Sequence, residues 1–383
     1  MAAPMSPRSA RPGPAAARPP AAPAPAWRSY LGDILWAARV IAGAVILVAG
    51  RSWPTYWHQL SFLIILALLT YPVRSVRWGT IYNFFLAGSL FAWVIVGVQY
   101  VIERVIFGGH LPLVGSVLVA PVSEEIGKVL PLLLLVLAGW RGFRISYGAC
   151  DLMLCGAALG SGFGLLEDAF RGAHSYPTPS GPALFGLALF PDSYGGFLGH
   201  GAATAFVALA LGFLMYAWRW RRWLVPALAA ALLALFWMMV DHAFANFATF
   251  GFNQPWLAPV RWMWQLDGNG RLSPYVLLAL ILLTLAAERL LLWRTLRGFR
   301  RLPASAWFAY WKRPWQRGWG YPQLRATVRR VWAFLQYVLC YRRLAFLMLH
   351  WKGDAPPDRT AFAPLIARYT GKVVVAQMAA RQS

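Results

Sequence analysis

The sequence predicts an all-α, polytopic integral membrane protein of about eight transmembrane helices, with both termini on the cytoplasmic side. Three observations predict it. Of the 383 residues, 59% are hydrophobic and 13% charged, whereas soluble domains run near about 45–50% and about 25%. Apolar stretches of membrane-crossing length recur at about 33–50, 56–73, 79–106, 111–138, 146–170, 195–218, 223–250 and 272–294. The arginines between them fall mostly on one side.

Taken in order, residues 1–28 are Ala, Pro and Arg with nothing to bury. They lack the apolar stretch of a signal peptide and read as a disordered cytoplasmic tail. Residues 29–298 read as the transmembrane helical domain. Arg74 and Arg77 follow the second span, and Arg141 and Arg144 the fourth. Arg219, Arg221 and Arg222 follow the sixth, and Arg294, Arg297, Arg300 and Arg301 the eighth. The opposite side carries only Arg51, Arg171, Arg261 and Arg271. The positive-inside rule therefore places the protein in the cell membrane as a multi-pass chain, N-in and C-in. The loop at about 171–194 is the longest outer connection. The loop 251–271 carries Trp256, Trp262 and Trp264, suited to an interfacial aromatic belt.

Residues 299–383 are basic and rich in Trp and Arg. Trp307, Trp311, Trp315 and Trp319 interleave with Lys312, Arg313 and Arg317, and Leu324–Trp351 mixes paired arginines with apolar residues. This reads as a cytoplasmic or membrane-surface region on the anionic inner leaflet. The net charge of +23 comes from 32 Arg and 4 Lys against 13 acids. It is assigned to cytoplasmic loops and tails, so no nucleic-acid partner is expected. Cys150, Cys155 and Cys340 are too few and too poorly spaced for a disulfide framework or a Cys-based metal site.

The polar residues inside the apolar spans carry the functional argument. Glu124, Glu125 and Lys128 stand in the middle of the fourth span. A charge at mid-membrane costs about 2.5–3.5 kcal/mol on insertion scales, so such a cluster marks a functional site. Glu124 and Lys128, at i and i+4, have the order of a helical ion pair. The fifth span carries Gly156, Gly160 and Gly164 as a close-approach stripe, continued by Glu167 beside Asp168. His200 opens the sixth span after a glycine-rich turn. His242 and Asn246, at i and i+4, share one face of the seventh. Position along the spans brings all of these to overlapping depths.

Carboxylates and imidazoles without a Ser–His or Cys–His pairing suit activation of water. Either His200, His242 and one or two glutamates, Glu167 among them, hold a divalent metal such as zinc while a remaining glutamate serves as base. Or a glutamate takes the proton from water without a metal, and His242 and Asn246 stabilise the oxyanion.

The EExxK of one membrane helix (Glu124, Glu125, Lys128), the FxxxE of the next (Phe163, Glu167) and isolated histidines in two later helices resemble the PrsW family of intramembrane proteases. More distantly they resemble the type II CAAX-prenyl endopeptidases and the bacteriocin-processing membrane proteases. His242 and Asn246 match the HxxxN of the CAAX group, and Glu167 stands where that group has histidine. The resemblance covers residues about 80–250. It implies hydrolysis of peptide bonds in membrane-anchored protein substrates, with Glu124 and Glu125 as the catalytic pair. It further implies that Glu167 and His200 bind water or metal, and that His242 and Asn246 bind metal or stabilise an oxyanion. The competing readings are a transporter or proton relay using the same cluster, with the Pro121/Pro131 helix broken, and a non-catalytic membrane scaffold.

Overall fold

The computed structural model describes residues 53–108, 115–138, 147–173, 198–217, 221–250, 258–296, 338–343 and 345–346. Among the described residues every regular element is helical and none is a strand. The helices are α1 (Trp53–Leu69), α2 (Trp78–Val105), α3 (Ala120–Ala138), α4 (Ala149–Ala173), α5 (His200–Ala217), α6 (Leu224–Phe250), α7 (Ala258–Leu266) and α8 (Ser273–Leu296). A π-helical turn, Gly115–Val119, leads directly into α3. Five of these, α2, α4, α5, α6 and α8, are long and apolar enough to cross a membrane. The helix α1 is a shorter apolar piece, and α3 combines 19 residues with the Glu–Glu–Lys charges. The expected span 33–50, the tail 1–28, most of the loop 171–194 and the stretch Trp307–Trp319 lie outside the described residues.

Helix α4 is the axis of the bundle. It packs on α5 and α2 most extensively, and also on α1, α3 and α8. The share of its span buried inside the protein is 94%, against 28–33% for α2, α6 and α8. The sequence explains this through its small residues. Gly156 lies where a side chain would strike Ala208 and the Thr204 carbonyl of α5, and Gly160 faces the His200 carbonyl. On the opposite face Gly162 meets the Phe85 carbonyl of α2, while Gly88 of α2 meets the Leu159 carbonyl of α4. Ser89 donates to the Gly162 carbonyl at 2.8 Å. The stripe expected from Gly156, Gly160 and Gly164 is therefore one of two close-approach faces.

Asp151 pins the first turn of α4. Its carboxylate accepts from the backbone N–H groups of Ser75 (2.7 Å), Val76 (2.8 Å) and Gly148 (3.1 Å), and from the Ser75 hydroxyl at 2.5 Å. The same corner receives residues 338–346. Arg342 donates to the Arg74 carbonyl at 2.8 Å, and Arg343 to the Ser75 carbonyl and the Tyr147 hydroxyl, each at 3.1 Å. Phe346 is buried in a cluster with Val73, Cys150 and Leu292. The described part of the segment Leu324–Trp351 thus buries its arginines against the protein instead of presenting them to a lipid surface. Carbonyls in the connection between α1 and α2 attract the guanidiniums, and Phe346 supplies apolar burial.

Three other expectations change. The stretch 251–271 is not all loop: α7 occupies Ala258–Leu266, with Pro259 in its first turn, where the missing N–H costs nothing. Trp264 stacks on Phe244 of α6, centroids 5.1 Å apart. Trp262 is exposed, and Trp256 lies outside the described residues. The Pro121/Pro131 helix is unbroken: Pro121 falls in the first turn of α3, and the helix continues through Pro131 to Ala138. The third change concerns Lys128 and belongs to the site. Cys150, Cys155 and Cys340 are buried and free.

Candidate functional site

Four helices converge on one buried cluster. Helix α3 contributes Glu124, Glu125 and Lys128, α4 Phe163 and Glu167, α5 His200, and α6 His242. His200 is the first residue of α5, placed by Gly199, whose φ of +82° turns the chain into the helix and whose carbonyl takes the first helical bond, from Ala203 at 2.8 Å. The bare backbone at Gly160 lets His200 lie directly on α4. Asp241, next to His242, accepts from the Leu198 N–H at 3.3 Å and ties α6 to the approach of α5.

Lys128 Nζ stands 2.6 Å from Glu125 Oε1, not on Glu124 as the i, i+4 spacing suggested. It also lies 2.8 Å from His200 Nδ1 and 5.0 Å from the centre of the Phe163 ring. The partner changes because His200 and Phe163, from other helices, fix where the ammonium goes. Glu125 Oε1 additionally meets His242 Nδ1 at 3.0 Å. Glu125, Lys128 and His242 are at most 2% exposed.

Glu124 is arranged differently. Its Oε1 accepts from the Gln99 amide of α2 at 3.0 Å. Its Oε2 is buried and has no hydrogen-bond partner among the described residues. That atom lies 3.9 Å from His200 Nδ1 and 3.8 Å from His242 Nε2, and the two imidazoles meet edge to face, centroids 5.1 Å apart. Glu124, His200 and His242 each turn a ligand atom into a space where all three lie within 4.8 Å of one another. A tetrahedral ion with bonds of about 2.0–2.1 Å needs ligand atoms roughly 3.3 Å apart, so each histidine nitrogen would have to approach Glu124 Oε2 by about half an ångström from 3.9 and 3.8 Å. Behind this face each histidine has a carboxylate on its far nitrogen: Glu125 on His242 Nδ1 and Glu167 on His200 Nε2. Far-side carboxylates that fix ring and tautomer are the usual surroundings of metal-binding histidines. The residue set fits a divalent metal once Lys128 Nζ, 2.8 Å from His200 Nδ1, gives up that contact and keeps Glu125 alone.

Residues 76–284, just over half of the chain, match the family model of the PrsW family intramembrane metalloprotease. The chain belongs to the PrsW family. It is accordingly a multi-pass membrane protein and a peptidase, and its site lies within the matched residues. No curated protein and no solved structure matches it.

The structure brings Glu124, Glu125, Lys128, Glu167, His200 and His242 together. Asn246 follows His242 by one turn of α6 and is half-buried. Sequence reasoning missed Gln99 and Ser123. Gln99 is the one amide in the second half of α2, within the apolar run Ala92–Val105, a signal weaker than a charge but of the same kind.

Proposed function

We propose that this PrsW-family chain is an intramembrane metalloprotease that hydrolyses peptide bonds of membrane-anchored substrates, with Glu124, His200 and His242 holding one divalent ion, zinc by ligand type. The observation that carries the reading is Glu124 Oε2, an orphaned buried carboxylate oxygen facing two imidazoles. When bound, the ion supplies a water acidified to about pKa 7 and polarises the scissile carbonyl.

The chain's own residues divide the remaining work. Glu125, sealed between Lys128 and His242, holds the His242 ring with its Nε2 toward Glu124. Glu167 does the same for His200 and is the carboxylate least enclosed, its side chain 23% exposed against 10% for Glu124 and 0% for Glu125. Released from His200 Nε2, Glu167 takes the proton from the attacking water and returns it to the leaving amine. Asn246 presents an amide to the developing oxyanion. The bundle seals the cluster from bulk solvent, which strengthens each of these interactions. The full transmembrane domain has eight spans, N-in and C-in, and the undescribed basic parts of residues 299–383 lie against the anionic inner leaflet.

Lys128, at 2.8 Å from His200 Nδ1, supports a second, metal-free reading in which Glu125 and Lys128 serve as a base pair. One experiment separates them. Membrane-protein termini are compared between cells carrying the native chain and cells carrying Glu167→Gln or Glu124→Gln at equal expression, and purified native chain is assayed with a metal chelator. New termini beside membrane segments only with the native chain, lost on chelation and restored by zinc, support the metalloprotease. Chelator-resistant cleavage selects the metal-free route. Identical termini in all three strains sink both.

A further inference from the structure

The carboxylate of Glu124 is held asymmetrically, and the residue responsible comes from a helix that contributes nothing else to the cluster. Gln99 of α2 directs its side-chain N–H₂ at Glu124 Oε1 (3.0 Å) and at Ser123 Oγ (3.1 Å). The Ser123 hydroxyl is itself committed, donating to the Val119 carbonyl at 2.6 Å, so its oxygen is turned to accept from Gln99. That carbonyl closes the π-helical turn at the head of α3. The amide is therefore anchored at a second point, and its two N–H groups match two acceptors, one per residue.

The consequence falls on Glu124. With Oε1 engaged, the carboxylate cannot rotate freely about its terminal torsion, and Oε2 is left facing His200 and His242. Resting on the metal-site reading above, we propose that Gln99 is a positioning residue that fixes Glu124 as a single-oxygen ligand, so that α2 sets the geometry of an ion it does not touch. The chain Val119–Ser123–Gln99–Glu124 also ties the ligand to the π-helical turn, which Val117 packs into the α6–α7 cluster with Val240 and Phe244.

The test uses the purified full chain in detergent with Co²⁺ alone as probe, followed by its visible absorption and by titration. Native chain, Gln99→Met, Ser123→Ala and Glu124→Gln are compared, with thermal unfolding of the metal-free forms alongside. Methionine keeps the length of glutamine and suits a membrane helix but donates nothing. Gln99→Met should weaken Co²⁺ binding by about 10–100-fold, the usual effect of removing an outer partner of a ligand, and alter the cobalt spectrum, while metal-free unfolding stays near native. Ser123→Ala should weaken binding by a smaller factor, and it carries the test if Gln99→Met does not accumulate folded. Native-like affinity and spectrum in both variants, with Glu124→Gln defective, overturn the role of Gln99 and leave the metal site standing. If the native chain binds no Co²⁺, or Glu124→Gln binds as well as native, the metal site itself falls and the positioning role with it.

Discussion

Gly160→Ala adds one methyl group at the contact that seats His200. The new Cβ would lie 2.6 Å from Thr204 Oγ1 and 2.8 Å from the carbonyl carbon of His200, where ordinary contact begins at 3.4 Å. The nearest obstacle is the His200 carbonyl oxygen, closer than Thr204 Oγ1, so the α5 backbone must back away by more than about 0.8 Å, carrying His200 with it. Overpacking of this kind costs about 1–3 kcal/mol of stability, and a misplacement near 1 Å in a reacting centre costs about 10²-fold in rate. Thermal unfolding in detergent and a Co²⁺ titration read the two effects separately. Gly156→Ala, one turn away against Ala208, should lose similar stability but much less ion affinity. Gly97→Ala, with nothing within 4 Å of the added carbon, should be neutral or gain up to about 1 kcal/mol. A Gly160→Ala protein that unfolds and binds Co²⁺ like Gly97→Ala would refute the argument that close α4–α5 approach positions His200.

Lys128→Met strands the buried Glu125 charge and should destabilise the metal-free chain by about 3–5 kcal/mol; the double variant with Glu125→Gln should recover part of that in the same melt. Phe346→Ala removes a fully buried ring from the Val73–Cys150–Leu292 cluster at a cost of about 3–5 kcal/mol. Tryptic cleavage at Arg342 and Arg343 should then accelerate by roughly two to three and a half orders of magnitude, at ~1.4 kcal/mol per decade. Burial raises the Asp267 carboxyl above its ordinary value of 3.8 in the turn before α8. Its contribution to stability is therefore full below about pH 4 and lost as pH rises through the raised value. Asp267→Asn should thus gain in melting temperature over native by more at pH 7 than at pH 4, and an equal difference at both would refute this.

What the sequence revealed about the site follows from cost. Glu124, Glu125 and Lys128 in an apolar run, and His242 and Asn246 one turn apart, stand out because a membrane interior penalises them. The partner of Lys128 did not, because i+3 and i+4 neighbours share a face and only His200 and Phe163, from other helices, decide between them. Gln99 was overlooked because a neutral amide carries little penalty; it matters only where α2 crosses α3. The docking of residues 338–346 was hidden for the opposite reason. Paired arginines look like a solvated surface until distant carbonyls are found to receive them.

The enclosure of α4 has a consequence for how the chain is made. A helix with Asp151, Glu167 and Asp168 and glycines on two faces is a poor guest for lipid, and in the finished protein it scarcely meets any. Its α2 face can be covered as soon as it emerges, since α2 precedes it in synthesis. The face of Gly156 and Gly160 stays bare until α5 arrives, after residues 174–199 have been translated. Over that interval the most lipid-averse helix depends on whatever assists insertion, and the arrival of His200 covers the bare face and seats the first histidine of the reactive centre in one event, before α6 brings His242.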